Sequence, residues 1–132
     1  MRNTLFVILI TFTFFFFFFS NVSPNAVELE VDFSWEEMQR CGMGIPEIRI
    51  KEVPNSTKHF IIRMYDHAYH WDHGKVKVAY RGSNIISKNH LEKIESPCPP
   101  DTPGRYEVTV KAIDNNGVVI GVGSKERYFP EK

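Results

Sequence analysis

The sequence has 132 residues with 16 basic and 16 acidic side chains, so its formal net charge is zero. The basic residues are scattered along the chain, which argues against a polyanion-binding tail and against nucleic acid as a partner. A chain of this length has room for one domain around one hydrophobic core.

The N-terminal segment has the pattern of a signal peptide. Arg2 gives it a positive start, and the apolar run from Leu5 to Phe19 includes six consecutive phenylalanines. A membrane-spanning helix needs roughly 18 to 20 apolar residues, whereas this run is shorter and ends in a polar, turn-prone stretch. We therefore expect cleavage: residues 1–26 as signal peptide and residues 27–132 as a secreted or periplasmic domain with no transmembrane anchor.

The first part of the exported chain has the period of β-strands. Val27–Phe33 alternates apolar and acidic residues, which predicts a half-buried strand. Ser34–Glu37 has the form of a capping box and predicts one helical turn. The apolar residues within 48–53 predict a second strand, and the proline and small polar residues of 54–57 end it in a turn.

The central part continues this pattern. His59–Asp66 predicts a third strand, and Val76, Val78 and Tyr80 line one face of a fourth. Ser87–Ile94 is compatible with a short helix.

The C-terminal part predicts a hairpin and a closing strand. Tyr106–Lys111 alternates strictly, and Asp114–Gly117 before an apolar run is a hairpin signal. A last edge strand is expected around Arg127–Phe129. Six or seven short strands without a long amphipathic helix predict an all-β fold, an antiparallel β-sandwich with one or two short helical turns.

The two cysteines, Cys41 and Cys98, both lie in the exported part of the chain. Exported proteins meet oxidising conditions, in which a lone pair of cysteines usually joins. We therefore predict a Cys41–Cys98 disulfide.

Two segments concentrate the residues that could carry chemistry. Residues 64–74 contain three histidines, two aspartates and three aromatic side chains directly after a predicted strand. Residues 96–106 contain four prolines, which fix the backbone φ angle and stiffen the surface that they line. A stiff loop beside such a cluster could form a preformed pocket.

These segments, taken in order, resemble the phosphatidylethanolamine-binding protein family, also called Raf-kinase-inhibitor-like, in its short exported form. The resemblance is carried by Cys41, Val53-Pro54-Asn55-Ser56-Thr57-Lys58, Met64-Tyr65-Asp66, His73-Gly74, Ser96-Pro97-Cys98-Pro99-Pro100 and Arg105-Tyr106. It implies an antiparallel β-sandwich with a small pocket for an anion, such as phosphate or a phospholipid headgroup.

The resemblance implies a ligand-binding set of Asp66, His73 and Tyr106, with Pro97 and Pro99 as the pocket wall. His73 and the Tyr106 hydroxyl could donate hydrogen bonds to phosphate oxygens, while Asp66 would orient the imidazole. Each residue has an alternative in which it only supports the fold, Asp66 as a turn carboxylate that caps backbone amides and Tyr106 as a core tyrosine.

The sequence also departs from the family pattern. The family's D-P-D segment is here Asp66-His67-Ala68, which lacks the second carboxylate, and Gly104 replaces the histidine of the H-R-Y segment. Two groups of the family pocket are therefore missing.

Other readings remain open. His67, His70 and His73, with Asp72, supply donors for a copper or zinc site, although their spacing matches no standard zinc motif. A protein partner is a further alternative, because members of the family act as inhibitors of kinases and proteases.

No nucleophile motif is evident, so we expect neither an enzyme nor a cofactor. Asn55-Ser56-Thr57 has the form of a glycosylation sequon and is given no functional weight.

Overall fold

The structure is a computed structural model that describes residues 21–36, 38, 40–98 and 103–131. In these residues the chain forms eight β-strands and one short 3-10 turn, Lys88–His90. The strands are β1 (Val22–Glu28), β2 (Glu30–Asp32), β3 (Ile48–Lys51), β4 (His59–Asp66), β5 (Trp71–Ala79), β6 (Ile85–Ile86), β7 (Gly104–Ile113) and β8 (Val119–Phe129). No helix in the described part of the chain is long and apolar enough to cross a membrane.

The strands form two sheets. The larger sheet has the order β1-β8-β7-β4-β5, and the smaller sheet has the order β2-β3-β6. The predicted all-β sandwich is confirmed. One pair differs from the antiparallel expectation, because β1 runs parallel to β8, with Val27 opposite Gly121.

The period-two alternation explains the core. In β7 the residues Tyr106, Val108 and Val110 are buried, while their neighbours along the strand face outward. β4 behaves in the same way and joins one buried cluster with residues of the smaller sheet, among them Ile48 and Ile50. Hence the inward positions of β4 and β7 line up along the core, and the end of β4 lies beside the beginning of β7.

The expected strand Val27–Phe33 is divided in two. β1 belongs to the larger sheet and β2 to the smaller, and the chain crosses between the sheets at Leu29. Leu29 lies against Gly123 of β8, where an added Cβ would come within 2.8 Å of the Leu29 carbonyl carbon. Because Gly123 has no side chain, the backbone at Leu29 can pass close to β8 as it crosses from one sheet to the other. The alternation of apolar and acidic residues in Val27–Phe33 gives no sign of this crossing.

Three other expectations need correction. Ser87–Ile94 is helical only in the short 3-10 turn, and the non-helical chain that follows places Leu91 and Ile94 in the core. Ser34–Glu36 contains a turn but no helix, while Glu37 lies outside the described residues. Arg127–Phe129 is the end of the long strand β8 and not a separate strand; in this part β8 pairs with β7, whereas its pairing with β1 stops at Val122.

The predicted disulfide is present between Cys41 and Cys98, which are separated by 57 positions in the sequence. The expected cleavage after Ala26 falls within β1 and would leave Val27 and Glu28 paired with β8. The signal peptide itself remains a prediction, because residues 1–20 lie outside the described residues.

Candidate functional site

Asp66, His73 and Tyr106 come together in the larger sheet where β4 ends and β7 begins. Asp66 is the last residue of β4 and lies directly opposite Tyr106 of β7. The imidazole of His73, from β5, packs edge-on against the Tyr106 ring, with the ring centroids 5.3 Å apart. All three side chains are buried.

A β-bulge places His73 inside the fold. Met64 of β4 pairs with Gly74 and Tyr65 pairs with Asp72, so His73 is an extra residue in β5. Gly74 has a φ of 109°, a left-handed value that favours glycine. The bulge interrupts the alternation of β5, so that Trp71 and Asp72 are both exposed and His73 faces the core.

The Asp66 carboxylate is held by internal donors. Its Oδ1 accepts hydrogen bonds from the backbone amides of Ala68 at 2.8 Å, Tyr69 at 3.3 Å and Arg105 at 3.4 Å. It is also hydrogen-bonded to the Tyr106 hydroxyl. These donors compensate for the loss of water around a carboxylate that is 2% exposed. Asp66 thus fixes the β4–β5 turn as well as the site.

The Tyr106 hydroxyl is enclosed between Asp66 and the backbone of Cys98. Burial, the negative charge of Asp66 and the hydrogen bond to that carboxylate raise the pKa of Tyr106, while the hydrogen bond with the Cys98 backbone acts in the opposite direction. The hydroxyl therefore stays protonated at neutral pH and donates a hydrogen bond to the Asp66 carboxylate. On its other side the Tyr106 ring meets Trp35, with the centroids 5.7 Å apart.

His73 is oriented by a backbone carbonyl. Its Nδ1 lies 3.0 Å from the Glu95 carbonyl oxygen, and the Glu95 amide donates to the His73 carbonyl oxygen at 2.8 Å. Since a carbonyl can only accept, Nδ1 carries a proton. The expectation that Asp66 orients the imidazole differs from this arrangement, in which Asp66 binds Tyr106 and backbone amides. Among the described residues, none hydrogen-bonds to Nε2 of His73.

A short segment, residues 94–98, covers the site, and we call it the cysteine strap. Glu95 binds His73, and the Cys98 backbone contacts the Tyr106 hydroxyl. Pro97 is fully buried within the strap. Pro99, the other expected wall residue, lies outside the described residues. No side-chain pattern indicates Glu95, because this residue contacts His73 through main-chain atoms.

Gly104 lies directly against the Tyr106 ring. The Tyr106 ring folds back over Gly104, and an added Cβ would lie 2.6 Å from its Cζ atom. A side chain at this position and the observed Tyr106 conformation are therefore incompatible.

We expect Gly104→Ala to displace the Tyr106 ring and to lower the free energy of unfolding by about 1–3 kcal/mol. Urea unfolding measures the loss, and the Tyr106 ring signals in NMR spectra report the displacement. Gly82→Ala is the control, because nothing lies within 4 Å of a Cβ added there. Since Gly82 has a φ of 88°, that control still includes some backbone strain. Unchanged Tyr106 signals in Gly104→Ala would contradict this account.

The three histidines of the metal hypothesis are directed to different places. His67 Nε2 lies 3.1 Å from a Glu107 carboxylate oxygen, His70 is exposed, and His73 faces the core. Asp72 is bonded to Arg63 on the outer face, and the hydrogen bond from Arg63 holds the pKa of Asp72 below its ordinary value. The structure therefore gives the three-histidine site no support.

Another set of ligand atoms does come close together. In the described part of the chain, one group of three or more metal-ligand side chains lies within 4.8 Å, namely His67, Glu107 and Glu126. It sits on the outer face of the larger sheet, and Arg105 already forms an ion pair with Glu126 at 3.5 Å. The positive charge of this guanidinium lies where a metal ion would bind and would repel it.

A separate cleft of about 960 Å³ lies beside the smaller sheet and contains no residue of the trio. Its lining includes Phe33, Met38, Met43 and Arg127. The Arg127 guanidinium is bonded to Asp32 at 3.0 Å and lies over the Phe33 ring. Because the lining is assembled from distant parts of the chain, no local pattern in the sequence indicates this cleft.

The described strands form a two-sheet β-sandwich, and this fold has a counterpart among solved structures. A crystal structure described as a putative phosphatidylethanolamine-binding protein homolog from Chlamydia trachomatis is similar to this chain, with a TM-score of 0.56. The match covers 82% of this chain and 99% of that chain at 15% sequence identity, so the likeness shows the fold alone. No family model matches the sequence, and no curated protein matches it.

Proposed function

We propose that this protein is an exported, non-enzymatic binding protein that takes a small anion, a free phosphate or the phosphate of a phospholipid headgroup, at His73. The observation that carries the proposal is the buried trio of Asp66, His73 and Tyr106, which a β-bulge and the cysteine strap hold together. The fold of the chain, similar to that of a phosphatidylethanolamine-binding protein homolog, supports the same reading.

Within the trio, His73 is the residue that can meet an anion. The Asp66 carboxylate already accepts hydrogen bonds from three backbone amides and from the Tyr106 hydroxyl, so neither Asp66 nor the Tyr106 hydroxyl hydrogen is free for an anion. Nδ1 of His73 donates to the Glu95 carbonyl. A second proton on the ring would therefore sit on Nε2, and the resulting imidazolium would offer one charged donor to a phosphate oxygen.

The side chains near the site that could act as nucleophiles are bonded or protonated, which favours binding over catalysis. Both cysteines are joined in the disulfide, and the Ser96 hydroxyl of the strap donates to the Gly44 carbonyl. The Tyr106 hydroxyl is held in its protonated form, which is a poor nucleophile.

We expect His73→Gln to weaken phosphate binding by about tenfold or more, because the change removes the imidazole donor and a hydrogen bond to a charged group contributes about 1.5–3 kcal/mol. Calorimetric titration of the mature protein with inorganic phosphate and with phosphoethanolamine measures the affinity. His70→Gln is the matched control, because it changes an exposed histidine and should leave the affinity unchanged. Equal phosphate affinity of His73→Gln and the unchanged protein would contradict the assignment of His73.

A second candidate function is recognition of a protein partner. Met43 and Trp71 are 61% and 57% exposed, and both lie beside Glu95 of the strap: Met43 pairs with it and the Trp71 indole donates to its carboxylate. Exposed tryptophan and methionine are enriched at protein interfaces. If a partner binds here, Trp71→Ala weakens its capture without changing phosphate binding.

A further inference from the structure

The cysteine strap connects the disulfide to the proposed anion site. On one side it pairs with residues 41–44: the Cys41 amide donates to the Pro97 carbonyl at 3.0 Å and the Ser96 amide to the Gly42 carbonyl at 3.0 Å. On the other side it contacts two residues of the trio, through Glu95 to His73 and through Cys98 to Tyr106. A movement of the strap therefore changes the surroundings of both side chains.

The two ends of the strap are anchored differently. At its beginning, the Ile94 side chain is fully buried in the core. At its end, Cys98 is exposed, and the Cys41–Cys98 bond ties it to the neighbouring segment. Hence the contact between Cys98 and Tyr106 depends on the disulfide more than the contact between Glu95 and His73 does.

Two features make this disulfide accessible and its loss consequential. Both Cys41 and Cys98 are exposed residues, and exposed disulfides are typically the labile or regulatory ones. Cys41 also has a φ of 58°, a left-handed conformation that is unfavourable for residues other than glycine. Once the bond is broken, Cys41 is free to leave this conformation, and the pairing of residues 41–44 with the strap weakens.

We propose that the Cys41–Cys98 disulfide is a redox switch for anion binding, with the oxidised protein competent and the reduced protein impaired. This inference rests on the function proposed above. In the switching step, a thiolate of a dithiol reductant attacks one cysteine sulfur and breaks the S–S bond, and the second thiol of the reductant resolves the mixed disulfide. The reductant loses two electrons and becomes a disulfide, while Cys41 and Cys98 become thiols.

The mature protein is titrated with inorganic phosphate before reduction, after reduction with dithiothreitol, and after reoxidation. Phosphate affinity should fall at least tenfold on reduction and return on reoxidation. The Cys41→Ser/Cys98→Ser variant should bind as weakly as the reduced protein and should not respond to dithiothreitol. Equal affinity of the folded oxidised and reduced forms would overturn the switch.

Amide hydrogen exchange of the same samples separates failure of the switch from failure of the proposed function. Reduction should raise the exchange rate of the Cys98 amide while the amides of Val108 and Val110 in β7 stay protected. If the oxidised protein binds no phosphate, the proposed function is wrong. The exchange rate of the Cys98 amide then still shows whether reduction moves the strap. An unchanged Cys98 rate, or loss of protection throughout β7, would contradict a local switch.

Discussion

Replacing Cys41 and Cys98 together by serine is expected to lower the free energy of unfolding by about 4 kcal/mol. The disulfide closes a loop of 57 positions, and a cross-link of this length restricts the unfolded chain by roughly that amount in the chain-entropy argument. Small domains are stable by about 5–15 kcal/mol, so the variant should remain folded at low temperature and unfold at a much lower urea concentration.

The reduced wild-type protein is the matched control for the serine variant. It carries the same open loop without a change of sequence, so both should unfold at nearly the same urea concentration. If the serine variant unfolded at the same urea concentration as the oxidised protein, the disulfide would not constrain the unfolded chain as argued here. Agreement between the two open forms would assign the loss to the bond itself.

Replacing Asp66 by alanine is expected to cost about 3 kcal/mol. The change removes the acceptor for the amides of Ala68, Tyr69 and Arg105 and the partner of the Tyr106 hydroxyl. Buried donors left without an acceptor lose their hydration without compensation, which makes this kind of substitution among the most costly. Chemical unfolding measures the loss of stability.

Two matched variants separate the contribution of the backbone amides to this loss of stability from that of the Tyr106 hydroxyl. Asp66→Asn keeps an oxygen acceptor for the turn amides and should cost about 1 kcal/mol, the usual contribution of one hydrogen bond. Tyr106→Phe removes the hydroxyl alone and keeps the ring between His73 and Trp35. A cost for Asp66→Ala no larger than that for Asp66→Asn would contradict the role of Asp66 as an acceptor for several donors.

The strands were largely predictable because alternation is a local property. β4 has the bounds that the pattern of His59–Asp66 indicates, and the hairpin at Asp114–Gly117 forms as expected, with Asp114 Oδ1 accepting from the Asn116 and Val118 amides. The parallel pairing of β1 with β8 was not predictable in this way. It joins distant parts of the chain, and Gly123 permits the crossing only because of what packs against it.

The proximity of the candidate site residues was predictable, whereas their hydrogen bonds were less so. The family resemblance selected Asp66, His73 and Tyr106, and the structure brings these three together. The partner of His73 is a backbone carbonyl of Glu95, which side-chain patterns do not encode. Gly74 after His73 carried a usable signal, because a glycine inside an alternating strand often marks a bulge.

The most direct test of the account is whether phosphate contacts the His73 imidazole. Histidine side-chain nitrogen shifts are followed by NMR while inorganic phosphate is added to the oxidised mature protein at pH 6. The account predicts that the His73 Nε2 signal moves with saturation and that the signal of exposed His70 does not. If His73 stays unchanged, or if all histidines move together without saturation, the trio supports the fold and does not bind an anion.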